Sequence, residues 1–190
     1  MMRHEVYITP NEVKVDGKAL THNENGSAML IELYRAHVGD YPKFFKMDTL
    51  SKLGFIASEL LLQAEDEPRF EPREDRAVMF FNRSASLQAD TAYQETIQNP
   101  DNYYPSPAAF VYTLPNIVTG EIAIRNKYYG ETSFIVMEQC DENVMARELH
   151  NAFLDPMTKS ILGGWLDCTD ENHFEAHIFL KDNNQSTKQQ

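Results

Sequence analysis

Three short apolar runs constrain this chain most. They are Ala77-Val78-Met79-Phe80-Phe81, Thr132-Ser133-Phe134-Ile135-Val136-Met137 and Ile161-Leu162-Gly163-Gly164-Trp165-Leu166. Each is short enough to be a strand, and helical patterns separate them. An unbroken apolar run suits a strand covered on both faces, as in a sheet sandwiched by helices. Strands that alternate with helices build a largely parallel sheet.

The remaining segments fill in that alternation. Val6 to Thr9 and Val13 to Val15, with a turn at Asp16-Gly17, predict a strand or a hairpin. A helix over Ser27–His37 follows, with Asn25, Gly26 and Ser27 as caps and Gly39 as its stop. Asp48 caps a second helix. Its Leu50, Leu53, Ala57, Leu60, Leu61 and Ala64 form one stripe at the 3.6-residue period. The charged stretch from Glu65 to Asp75, with Pro68 and Pro72, reads as a solvated connection. Leu87 to Gln98 predicts a short polar helix, and Pro115 divides the mixed segment Ala108–Tyr128. Asp141 caps a helix from Glu142 to Leu154 with the stripe Met145, Leu149, Ala152 and Phe153. Phe174, Ala176, Ile178 and Leu180 alternate, which predicts a last strand, antiparallel at the sheet edge, reached by a turn over Asp167–Asn172. The expectation is one α/β domain over residues 1–181 with a polar tail at 182–190. Its sheet is five-stranded and mixed, mostly parallel, with helices on both faces in the order β-α-β-α-β-α-β-β.

Charge and composition exclude several functions. The net charge of −12 argues against a nucleic-acid or anionic-membrane partner, since both need clustered Lys and Arg. No window approaches the roughly 20 apolar residues of a membrane span. The amino terminus lacks the apolar core of a signal peptide, so a cytoplasmic location is expected. Cys140 and Cys168 are the only two cysteines, too few for a disulfide scaffold or a zinc site. His173 and His177, if on one strand, would sit about 13 Å apart and could not share a metal. No cofactor or metal is expected.

A more specific pattern runs from Pro105-Ser106-Pro107 to Gly164. Asn116 and Gly120 stand in an Asn-x3-Gly helix, Gly130 follows, and Gly163-Gly164 lie in a strand that ends at the acid Asp167. This spacing resembles the amino-terminal half of the β-ketoacyl-acyl-carrier-protein synthase family, a thiolase-like fold, over roughly Tyr41 to Asp167. In that family the counterpart of Gly130 begins a Gly-Pro pair, and a nucleophilic Cys follows at the start of a helix. A helix amino terminus favours negative charge and prepares a thiolate.

The resemblance also exposes departures. The Pro is Glu131 here, and the ungapped count places Gln139 at the nucleophile position, with Cys140 one residue late. Gln cannot be acylated, and the inactive chain-length factors of polyketide ketosynthases also carry Gln there. The family's second-half catalytic histidines have no counterpart among the six His of this chain. The resemblance therefore implies a non-condensing accessory or chain-length-factor-like subunit in fatty-acid or polyketide-type biosynthesis, not a self-sufficient synthase. The alternative is an acyltransferase or decarboxylase, active in an oligomer, that uses Cys140 or Gln139. Half of a paired fold also implies an open face supplied by Met145, Phe153 and the Ile117-Val118-Ile122-Ile124 set. A homodimer or a hetero-complex with a full ketosynthase would cover it. An acyl carrier protein is the further partner the family implies, although two acidic proteins would meet slowly.

Overall fold

The structure, a computed structural model, describes residues 2–65 and 67–183. The part of the expected tail at 184–190 lies outside the described residues. The chain opens with three strands, β1 (Met2–Thr9), β2 (Glu12–Val15) and β3 (Lys18–Ala19), then helix α1 (Gly26–His37). A short 3₁₀ turn (Pro42–Lys46) leads into α2 (Thr49–Ala64) and strand β4 (Arg76–Asn82). Helices α3 (Leu87–Glu95), α4 (Pro107–Val111) and α5 (Ile117–Asn126) follow. The last elements are β5 (Thr132–Val136), α6 (Glu142–Ala152), β6 (Ser160–Asp170) and β7 (His173–Asp182).

All seven strands join one mixed sheet, in the order β3-β2-β1-β7-β6-β4-β5. This corrects the five-stranded, mostly parallel expectation. Among the described strands, β4 runs parallel to β5 and to β6. The other pairings, β1–β2, β2–β3, β1–β7 and β6–β7, are antiparallel. The amino-terminal segment accounts for the difference. Asp16 and Gly17 both take positive φ and turn β2 into β3. β1 then pairs along β7 from Met2↔Lys181 to Ile8↔Ala176. The expected edge strand β7 is consequently internal, and the edges are β3 and β5. β5 is also less buried than its apolar sequence suggests, with both ends exposed and the middle half-buried.

One face of the sheet carries α1, α2 and α5. Val78, Phe80, Leu162, Leu166, Ala176, Ile178 and Leu180 point into this core. α2 starts where Asp48 accepts the backbone N–H of Ser51 at 3.0 Å. The helix is buried far beyond the single predicted stripe, with Phe55, Ile56, Ser58 and Glu59 also inside, because α1 and α5 cover its outer sides. Among the described residues the opposite face carries α6 alone. Met145, Leu149, Ala152 and Phe153 pack there on Ala77, Met79, Phe81, Ile161 and Trp165. The expected open apolar face is not built from the named residues. Met145 and Phe153 are each 8% exposed, Val118 and Ile122 are buried and Ile117 is half-buried; Ile124 alone of that set is exposed, at 67%.

The Glu65–Asp75 connection is not simply solvated. Arg76, 1% exposed at the start of β4, donates through both terminal nitrogens to Glu65 at 2.7 Å, and also to Ser160 Oγ and the Tyr128 hydroxyl. Arg3 of β1 reaches Glu65 at 2.9 Å and Glu67 at 2.7 Å. Arg73 holds the other Glu67 oxygen at 2.6 Å. A buried guanidinium needs compensating charge, and this loop supplies it. No helix among the described residues is long and apolar enough to cross a membrane.

Candidate functional site

The parallel strands β4, β5 and β6 present their carboxyl ends together, the side of such a sheet where ligand sites form. Three loops meet there and are wired to one another. Asp167, near the end of β6, accepts the backbone N–H groups of Arg83 and Ser84 at 3.2 and 2.9 Å. Asn82, the last residue of β4, holds Ala85 by paired bonds of 2.9 and 3.1 Å. The Asn82 carbonyl also accepts Met137 N–H at 2.7 Å. The sequence marks Asp167 as a strand-ending acid and gives no sign of Asn82. Their joint role as braces depends on contacts between segments distant in sequence.

Gln139 and Cys140 occupy the loop between β5 and α6, and both are exposed. The electrostatics of Cys140 run against a prepared thiolate. Its pKa is raised, first by partial burial and then by Glu175, Glu142 and Asp141. The helix terminus that could have opposed this is already occupied. The Asp141 carboxylate accepts Asn143 and Val144 N–H at 2.9 and 3.2 Å, which satisfies donors that an incoming anion would need. Cys168 is buried, and burial with nearby Asp48, Asp167 and Asp170 pushes its thiol up to about 12.

The motif glycines lie in the fold around this loop. A Cβ on Gly163 would strike the Met79 carbonyl, and one on Gly130 the Arg76 carbonyl. Gly164 has φ +141°, and a Cβ there would strike the His177 carbonyl. Gly120 meets nothing within 4 Å, so no close approach within the chain accounts for it. α5 ends before Gly130, at Lys127, which takes the left-handed conformation with φ 56°. Asn116 sits at the α5 start, where its carbonyl accepts the Thr119 hydroxyl at 2.7 Å. His173 and His177 are exposed and pair with Asp170 and Glu5.

A trough of about 240 Å³ opens beside Cys140, between α6 and the uncovered outer side of β7. Met2, Met145, Leu149, Trp165 and Phe179 line it, with Glu142, His177 and Lys181 on its polar parts.

No known family's sequence profile matches this chain, and no curated protein matches it either. Solved structures do. "The ishigamide ketosynthase/chain length factor" superposes with a TM-score of 0.71 at 15% identity, over 98% of this chain and 63% of that one. "Ketosynthase (ApeO) in Complex with its Chain Length Factor (ApeC) from Xenorhabdus doucetiae" gives 0.64 at 12% identity, over 96% and 79%. The fold is that of the ketosynthase and chain length factor structures. At such low identity the likeness is one of fold. The chain spans less than two thirds of the first of these neighbours. Within the ketosynthase–chain length factor fold, the loop described above joins a parallel edge strand to the lone helix of the second face.

Proposed function

We propose that this chain is a chain-length-factor-like accessory subunit that does not condense acyl groups itself and works with a ketosynthase-like partner. The observation that carries the reading is the β5–α6 loop. Gln139 has no nucleophile to offer, and the pKa of the Cys140 thiol beside it is raised by partial burial and then by three carboxylates. A thiol kept protonated is a poor acyl acceptor. The fold shared with ketosynthase and chain length factor structures supports the same reading. So does β5, an edge strand of Thr132-Ser133-Phe134-Ile135-Val136 with no charged or proline residue to blunt it. Such an edge suits pairing with another chain. On this reading residues 1–181 act as one thiolase-like unit in polyketide- or fatty-acid-type biosynthesis, in the cytoplasm, and Gln139 holds the nucleophile position.

The test is incubation with acyl- and malonyl-loaded carrier protein, read by intact mass. The unmodified mass is expected, together with unchanged donor. An acyl adduct that disappears in Cys140→Ala would overturn the reading in favour of an acyltransferase. Decarboxylation lost in Gln139→Ala would overturn it in favour of a decarboxylase. Mass in solution, alone and with a ketosynthase co-expressed from the native host, then separates homodimer from hetero-complex.

A further inference from the structure

The trough beside α6 combines two properties that point to one kind of occupant. Its floor is apolar and adaptable. Trp165 and Phe179 provide broad surfaces, and Met2 and Met145 are unbranched side chains that can repack around an inserted group. Its surroundings are acidic. Glu142 stands on the rim, and Asp141 and Glu175 act on Cys140 within it. Glu5 pairs with His177 at 3.1 Å on the adjoining strand. Lys181 is the only Lys or Arg among the lining residues. Hot spots form where a bulky side chain fills a well-packed, desolvated pocket, and the charge beside that pocket selects the partner.

We propose that this trough receives a basic amphipathic segment of a partner protein, whose bulky apolar side chain enters over Trp165 while flanking Lys or Arg residues meet Glu142 and Glu175. α6 packs over β4 and β6, leaving the outer side of β7 free to take a second helix beside it. The assignment does not depend on the chain-length-factor reading. It would stand for any partner that presents this chemistry, and its failure would leave that reading untouched.

Trp165 is the sole tryptophan of the chain, so its fluorescence reads the trough directly. The probe is a short amphipathic Leu/Lys helical peptide, compared with its Leu/Glu counterpart and with decanoate. The Leu/Lys peptide is expected to shift Trp165 emission saturably, and the other two are not. The double variant Glu142→Lys/Glu175→Lys, at two exposed positions, is expected to weaken binding by roughly tenfold or more. A control pair, Glu71→Lys/Glu74→Lys, changes net charge equally in a separate loop and is expected to leave binding alone. Any of four results overturns the proposal: no shift with the Leu/Lys peptide, equal shifts with both peptides, saturable binding of decanoate, or equal weakening by the control pair.

Discussion

Cys140 shows how far one side chain's chemistry depends on its neighbours. The thiol stands just before a helix, yet carboxylates from that helix and from β7 surround it. A raised pKa leaves less thiolate at any given pH. Iodoacetamide should therefore label Cys140 more slowly at neutral pH than an unhindered model thiol, with the rate rising into the alkaline range. The double variant Glu142→Gln/Glu175→Gln should accelerate labelling; intact mass against time at several pH values is the measurement. Cys168 should stay unlabelled until the protein unfolds, being buried with its thiol near 12. The position of the loop was legible in the sequence, because a strand-like run, a cap residue and an amphipathic stripe follow in order. Its electrostatics were not, because Glu175 belongs to a strand that only the fold brings close. The glycines divide in the same way. Gly163 and Gly164 sit where a Cβ would strike backbone carbonyls, so Gly163→Ala should cost stability, measured as a lower urea midpoint. Gly120→Ala, in open space, should not.

Among the elements, helices were read more accurately than the sheet. The caps at Asp48 and Asp141 hold as the sequence indicated, and Asp141→Ala should lower stability by about 1 kcal/mol. Strand pairing was the harder problem, since nothing local reveals that β1 lies along β7. The 65–75 connection shows a related limit. Its charges look solvated until buried Arg76 comes into view. Arg76→Met would leave Glu65 buried without its main partner, at a cost of about 3–5 kcal/mol. Replacing Glu65 and Arg76 together by apolar residues should cost less than the single change, and urea unfolding of the set measures both. Glu67 adds a pH dependence. Partial burial opposes its ionisation, but hydrogen bonds and charge from Arg3 and Arg73 hold its pKa at about 2. A depressed carboxylate stabilises the fold above its unfolded pKa, and that contribution fades as the pH falls from about 4.5 toward 2. Glu67→Gln should flatten the fall of the urea midpoint over this window and lower the midpoint above it.

At the level of the molecule, one face is thickly covered, the other carries one helix among the described residues, and the association proposed above falls on β5 and the trough. If β5 mediates it, Val136→Lys, at a residue 51% exposed, should reduce association by sedimentation while leaving the urea midpoint of the monomer unchanged. The central place of β7 has a further consequence for how the protein is made. Glu5 and its partner His177 are 172 positions apart, and the sheet cannot close until both strands have left the ribosome. At ordinary rates of synthesis the first strand waits roughly 10 to 35 seconds for the last. Through that interval β1 has only the β2–β3 meander to occupy its other edge, so β1 is the strand exposed to aggregation for longest. A chaperone that attends β1 as it emerges should raise the soluble yield more than one that acts after release.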